Sequence, residues 1–367
     1  METDVFIVGG GPVGLASAIA LRSRGFRVMV ADPALPPIDK ACGEGLMPDA
    51  LAALARLGVT LRAEHCFPFR GIRFLGGVNT VDASFPNGSG VGIRRTHLHQ
   101  ALIDRAQETG ATLLWGTAVK GLSASAVTLD RAAVDCRWVI GADGENSRVR
   151  QWAGLETTRH KSVRFGFRRH YRIKPWADCV EIYWGSGSQI YVTPIGLQEI
   201  CVAVISRDSH LRLDQALPLH PELSTRLKNA SITTHERGAV SATRRLARVY
   251  RDRVVLVGDA SGSVDAITGE GLRLGWEQGM ALAQALAENN LKAYGAAHRR
   301  LARRPAFMAG LMLTLDHSAW LRRRVLSALS SEPRIFATQL AMHMGTATTG
   351  DFIRHSVLPL GRHLLAA

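Results

Sequence analysis

Asp4-Val5-Phe6-Ile7-Val8-Gly9-Gly10-Gly11-Pro12-Val13-Gly14 opens the chain with an apolar run and a glycine-rich turn, and the alanine-rich segment Leu15 to Arg24 follows. That order predicts a buried strand, a tight turn and a helix, the setting in which a GxGxxG turn holds a dinucleotide. Gly9 permits the turn, Gly11 lets the backbone come up to a pyrophosphate, and Gly14 lets the helix pack closely on the strand. With Pro12 completing the turn, an anion would meet free amide groups at the positive end of the helix. A second strand, Arg27 to Ala31, ends at Asp32, 18 residues beyond Gly14. A carboxylate at that spacing is placed to accept a hydrogen bond from a ribose hydroxyl.

Two later stretches return to the same neighbourhood: Ala142-Asp143-Gly144-Glu145-Asn146-Ser147-Arg148-Val149-Arg150, and Gly258 to Leu272, GDASGSVDAITGEGL. Short apolar strands lead into both, at Trp138 to Ile140 and at Arg253 to Val257. Between the first turn and these strands the pattern predicts a helix over His97 to Glu108 and a strand pair within Thr112 to Val127. From Ser162 to Val249 the character changes. Val163 to Ile173, Val180 to Trp184, Ile190 to Pro194 and Ile200 to Ser206 are rich in β-branched and aromatic residues, and predict a mainly antiparallel sheet. A short helical connection is expected near Leu213 to Leu227. Gly271 to Asn289 and most of Leu291 to Leu365 carry helical patterns, with breaks expected at Pro305 and Pro333.

At 367 residues the chain is too long for one ordinary domain. The first residues, with Glu2 and Asp4, show no basic leader, and no apolar stretch is long enough to span a bilayer, so a cytoplasmic location is expected. Five cysteines, Cys42, Cys66, Cys136, Cys179 and Cys201, lack CxxC spacing and are odd in number, which argues against a disulfide framework and against a zinc site. The 13 histidines form no HxxxH or Cys/His cluster, so no metal is expected. The net charge is +14, and about half of the excess falls after Leu286, in HRRLARR (His298 to Arg304) and LRRR (Leu321 to Arg324). No nucleic-acid-binding module accompanies it. A solvated helix face is the plain reading; contact of these basic helices with anionic lipid at the inner membrane face, or with an acidic partner, is the other.

The three stretches together resemble the single-component flavoprotein monooxygenase superfamily, which has the fold of para-hydroxybenzoate hydroxylase. Within it the chain is most similar to the geranylgeranyl reductase and flavin halogenase group, over roughly its first 300 residues. The resemblance implies an α/β fold: a Rossmann-like FAD-binding domain, an inserted mainly antiparallel β substrate domain and a C-terminal helical extension. The expected boundaries are 1–75, 92–160 and 250–290 for the FAD domain, 76–91 and 161–249 for the substrate domain, and 291–367 for the helices. The family's DGxxSxxR pattern matches Asp143, Gly144, Ser147 and Arg150, and its GD pair matches Gly258 and Asp259, whose carboxylate would hold the ribityl chain. Gly269, Glu270 and Gly271 correspond to a turn whose amides face the flavin pyrimidine edge, where donors stabilise negative charge on the reduced ring. Arg95 matches the arginine before a flavin-contacting helix. Lys40-Ala41-Cys42-Gly43-Glu44-Gly45 fits a reductase loop of KxCGxG type, which implies Lys40 against the pyrophosphate and Cys42 near the reactive flavin face. A buried structural cysteine is the other reading of Cys42.

Two departures bear on activity. Between Ala41 and Val119 there is no lysine, and the tryptophan motif of halogenases is absent, so the resemblance does not extend to halogenation. Ala266 stands where the family usually has a proline before its TGEG turn. The first expectation is a tightly but non-covalently bound FAD, reduced transiently by NAD(P)H, that uses molecular oxygen to hydroxylate a small hydrophobic or aromatic, polyketide-like substrate. The second is a flavin-dependent reductase of isoprenoid or polyene double bonds, although the reductase PxxYxW pattern is degraded here to Gln189-Ile190-Tyr191-Val192-Thr193-Pro194. A flavin-binding partner subunit without turnover is the third.

Overall fold

The computed structural model describes residues 2–130, 132–156 and 158–365. Met1, Arg131, Thr157, Ala366 and Ala367, which fall within the first, third and last of the expected segments, lie outside the described residues.

The chain begins as its pattern dictates. Strand β1 (Glu2–Val8) is buried along most of its length and leads directly into helix α1 (Pro12–Arg22). Gly11 is the N-cap of α1 and offers no side chain, so the first-turn amides of this helix are left for another acceptor. Strand β2 (Val28–Asp32) lies beside β1, and helix α2 (Pro48–Arg56) follows. Strands β3 (Gly71–Gly76) and β4 (Asn79–Ser84) form a hairpin that belongs to a different sheet. Helix α3 (Arg95–Glu108) brings the chain back to strand β5 (Thr112–Trp115), which extends the first sheet in parallel beside β2. Thr112 to Val127 therefore holds no simple strand pair. β5 goes to the central sheet, and Val119–Leu122 pairs instead with Ala126–Leu129 in a small antiparallel hairpin on strand β6 (Ala133–Gly141). Helix α4 (Arg148–Trp152) comes next.

The second sheet is built from β7 (Thr158–Arg172), β8 (Cys179–Trp184), β9 (Ser188–Gly196), β10 (Glu199–Ser206) and β11 (Arg237–Leu246), in the order β11-β7-β10-β9-β8-β3-β4. Every pairing along that order is antiparallel except β8 with β3. Strand β12 (Val254–Leu256) then completes the first sheet, whose parallel core runs β12-β6-β1-β2-β5. Helix α5 (Gly271–Ala287) covers α1, and α6 (Leu291–His317), α7 (Ala319–Ser331), α8 (Pro333–Met344) and α9 (Leu358–Leu365) cover one face of the second sheet. Pro333 starts α8, as expected. Pro305 does not break its helix: it lies buried inside the 27-residue α6, which ends instead where Ser318 caps α7 through the Leu321 amide. Packing on the sheet outweighs the one hydrogen bond that the proline removes.

Close approach of α1 and α5 sets the geometry of the first half. A Cβ at Gly275 would lie 2.4 Å from Val13, and one at Gly279 2.6 Å from the Ser17 hydroxyl. A Cβ at Gly14 would lie 1.8 Å from the carbonyl oxygen of Gly9, so helix and strand meet there only because Gly14 has no side chain. The indole N–H of Trp276, fully buried on α5, donates to Pro12 O at 3.2 Å and ties the two helices at the turn.

Burial also sets how stability depends on pH. His298, on α6, shares a 2.8 Å hydrogen bond with the Ser261 hydroxyl, and burial lowers its pKa to about 4. Burial also lowers the pKa values of His99 and His343. A histidine held neutral in the fold but titrating near 6.5 when unfolded supports stability fully above that value, and progressively less as pH falls from about 6.5 toward its folded pKa. At pH 5 the His298 contribution alone is a loss on the order of 2 kcal/mol. Urea unfolding at pH 7.5 and pH 5 is expected to show a smaller acid-side loss for His298→Asn than for the wild type; equal losses would remove His298 from this role.

Candidate functional site

One cavity of about 910 Å³ runs from the GGGPVG turn to the inner face of the C-terminal helices. Its first half is polar and glycine-rich. Gly9, Gly11, Pro12, Asp32, Lys40, Cys42, Arg95, Asp143, Asp259, Gly269 and Gly271 all line it. Residues separated by more than 200 positions are thus brought to one wall, as the spacing of the three stretches implied.

The glycines divide into two kinds. Gly9 and Gly14 are explained by the polypeptide itself, since a Cβ would lie 2.4 Å from Ala142 O and 1.8 Å from Gly9 O respectively. At Gly11, Gly43, Gly269 and Gly271 a Cβ would meet no protein atom within 4 Å, yet all four line the cavity. At Gly11 and Gly271 nothing in the fold demands glycine, so these positions form a cradle sized for a guest that approaches the backbone. The charges around it are those a pyrophosphate needs. The buried Nε of Arg95 has no hydrogen-bond partner among the described residues, and the exposed Lys40 holds its Nζ beside Gly144. The groups present therefore fit FAD: amides and cations for the diphosphate, carboxylates for the sugar hydroxyls.

The carboxylates differ in how far they are committed. Asp32 accepts from Gly10 N at 2.8 Å and Ala34 N at 2.9 Å, which holds both sides of the turn and leaves lone pairs toward the cavity. Asp143 accepts from the Ser147 hydroxyl at 2.5 Å and from the amides of Arg148 (2.7 Å) and Val149 (3.1 Å), so its side chain caps α4 while the backbone beside it lines the cavity. Asp259 is exposed at the cavity wall. Glu270 turns away: its carboxylate meets Arg273 at 2.5 Å and His343 at 3.4 Å, leaving its backbone, the N-cap of α5, near the cavity. Arg150, fully buried, donates to Ala260 O at 3.1 Å and Glu145 O at 2.7 Å, and so bolts the Asp143 stretch to the Asp259 stretch. Where Ala266 replaces a proline, Asp265 caps the turn by accepting from Ile267 N at 3.1 Å.

Two supports escaped the sequence. His99, fully buried, donates from Nε2 to Gly10 O at 2.8 Å and accepts at Nδ1 from Ile38 N at 3.1 Å, pinning the glycine turn to the loop after β2. The other is Glu44. It adopts a positive φ of 58°, which turns its carboxylate into the protein beneath Cys42. Oε1 accepts from Arg95 N at 2.9 Å, Oε2 accepts from His170 Nε2–H at 2.6 Å, and Arg168 stands 3.8 Å away. Arg168 also pairs with Asp39, at the start of the same loop. The Cys42 sulfur accepts from Glu44 N at 3.5 Å and lines the cavity. Behind it burial holds the Cys201 thiol well above its ordinary pKa, so it stays a neutral donor to Cys42 O at 3.6 Å. Glu44, His170 and Cys201 bring three ligand atoms within 4.8 Å of one another. The Arg168 guanidinium beside both Glu44 and His170 Nδ1 (3.3 Å) already supplies that space with positive charge.

Past Cys42 the cavity becomes apolar. Phe74, Ile182 and Val204 come from the second sheet, and Met308, Met312, Val325, Phe336, Leu340 and Leu364 from the four C-terminal helices. The hydroxyl of Tyr191 donates to Ile267 O at 2.8 Å and is spoken for.

A model of the FAD binding domain family matches residues 2–301. Menaquinone reductase of Mycobacterium tuberculosis is 30% identical over 319 residues, 79% of this chain and 78% of that protein. A digeranylgeranylglycerophospholipid reductase of Methanothermobacter thermautotrophicus is 26% identical, covering 78% of this chain and 77% of its own length. Rifampicin monooxygenase of Streptomyces venezuelae is also 26% identical, covering 77% and 64%. Among solved structures, a flavoprotein/dehydrogenase from Cytophaga hutchinsonii superposes with a TM-score of 0.85 over 100% of both chains at 16% identity, a likeness of fold.

Gly11→Val places a side chain in the cradle without touching the protein, so FAD content after purification is expected to fall to near zero with far-UV circular dichroism unchanged; full occupancy would remove the cradle assignment. Asp259→Ala is expected to raise the FAD dissociation constant about 30-fold, roughly 2 kcal/mol, the scale for a hydrogen bond to a charged group. Titration of the apoprotein with FAD measures it.

Proposed function

From the premise that the chain belongs to the FAD binding domain family and is an FAD-dependent oxidoreductase, we propose that it reduces carbon–carbon double bonds in a long apolar substrate of isoprenoid type, with NAD(P)H as electron donor. The observation that carries this is the apolar half of the cavity, continuous with the Cys42 loop and walled by the second sheet and four helices. Burying a CH₂ contributes about 0.8 kcal/mol, so several isoprene units laid along that wall would bind tightly without any polar anchor.

FAD, when bound, supplies the hydride chemistry. The protein's residues do the rest. Lys40, Arg95 and the α1 amides would hold the diphosphate, and Asp32 and Asp259 the sugar hydroxyls. Glu44 fixes the loop that carries Cys42 at the junction of the polar and apolar halves. The helices keep water from the reacting carbons. The monooxygenase reading, which the sequence placed first, has relatives in its favour. An aromatic substrate with polar substituents would need partners in the apolar half, however, where the Tyr191 hydroxyl is engaged with Ile267 and His343 with Glu270, which leaves Gln339 as the side-chain amide on the helical wall.

The test is turnover of polyprenyl phospholipids and polyprenyl alcohols, which carry no quinone ring to take up the electrons, with NADH or NADPH under labelled oxygen. A product heavier by two hydrogens and free of label is expected; labelled oxygen in the product would overturn the proposal. Cys42→Ser is expected to lower double-bond reduction about tenfold or more, about 1.4 kcal/mol in barrier, while flavin reduction by an artificial donor is unchanged.

A further inference from the structure

The apolar half of the cavity reaches the surface beside α6. Leu311 and Val240 both line the cavity and are 39% and 50% exposed, so α6 and β11 frame an apolar mouth. Along α6 the exposed residues Arg300, Arg303, Phe307, Leu311 and Thr314 recur at helical spacing and form one stripe. Its first part is cationic. Arg300 and Arg303 carry no ion pair among the described residues. Its second part is apolar and ends at the mouth: Phe307 is 46% exposed and packs edge-on against Phe352, while the neighbouring Ile353 is 46% exposed. From Leu291 to Ala367 there are 11 lysines and arginines against three acids, Asp316, Glu332 and Asp351. No helix of the described residues is long and apolar enough to cross a membrane.

A cation-then-apolar stripe is the composition of a surface that lies on a bilayer, its charges at anionic headgroups and its apolar side chains among the acyl chains. We infer that this face of α6, with the mouth between α6 and β11, docks on an anionic membrane, and that an apolar substrate passes from the bilayer into the cavity without crossing water. Charge complementarity selects the surface, and continuity of the exposed apolar residues with the cavity wall gives the docking a purpose. The second clause rests on the isoprenoid reading above; the docking itself rests only on the stripe.

Flotation of the FAD-loaded full chain with vesicles separates the two. Vesicles of phosphatidylcholine with phosphatidylglycerol are expected to carry the protein up the gradient, and pure phosphatidylcholine to leave it behind. The pair Arg300→Glu with Arg303→Glu, and separately Phe307→Asp, should each weaken vesicle binding by about tenfold or more, with FAD content and thermal midpoint unchanged. Arg24→Glu, an exposed charge past the far end of α1, should leave binding intact. Reduction of a vesicle-embedded polyprenyl substrate should fall with vesicle binding, while reduction of a short detergent-free analogue is maintained. Docking is overturned if the wild type ignores anionic vesicles, if neutral vesicles bind equally, if the α6 variants bind as well as the wild type, or if Arg24→Glu weakens binding as much as they do. Self-association without vesicle binding would assign the face to a second copy and overturn the lipid. Vesicle binding by a chain that reduces no isoprenoid would uphold docking and remove the proposed reaction instead.

Discussion

The buried carboxylate of Glu44 joins the two halves of this protein. A carboxyl group this far from water is tolerated only where other groups satisfy it. Here the partners come from both halves: the Arg95 amide from the start of α3, and His170 and Arg168 from β7 of the second sheet. Arg168 in turn reaches Asp39, so the loop from Asp39 to Gly45 is held at both ends by one strand of the other sheet. The loop cannot drift without leaving a charge uncompensated, and Cys42 is placed over the cavity as a result.

A second set of constraints is steric. Gly14 brings α1 against β1, Gly275 and Gly279 bring α5 against α1, and the close packing aims the free end of α1 at the cavity. Arg150 then locks two loops that the sequence separates by more than 100 residues, through Ala260. What the sheets and helices leave between them is a cavity with two characters, polar where backbone and cations converge and apolar where the second sheet meets the C-terminal helices. Under the proposed function the polar part would receive the cofactor and the apolar part the substrate.

The nucleotide half was legible because its chemistry imposes residue types at fixed spacing: Gly9, Gly11, Gly14 and Asp32 mark a turn, a close approach and a strand end. The supports were not. His99 and Glu44 act through tertiary contacts with partners 51 to 126 positions away, and nothing local marks either one. Pro305 was misjudged because helix-breaking is a local rule, and burial of α6 against the sheet is a tertiary fact that outweighs it. Thr112 to Val127 misled for a similar reason: two neighbouring strands looked like a pair, while β5 was claimed by the edge of the parallel sheet. The apolar half of the cavity was illegible altogether, since its walls come from helices whose periodicity shows only that one face is buried, not what it is buried against.

The account turns on electrons passing from the cofactor straight to a carbon chain in the apolar half. An anaerobic single turnover tests this most directly: the holoprotein is reduced photochemically, mixed in the strict absence of oxygen with a polyprenyl phospholipid, whose only reducible groups are its chain double bonds, and its flavin absorbance followed. The account predicts that the oxidised yellow spectrum returns at the expense of substrate double bonds, and more slowly in Cys42→Ser. A flavin that stays reduced until oxygen is admitted would contradict it.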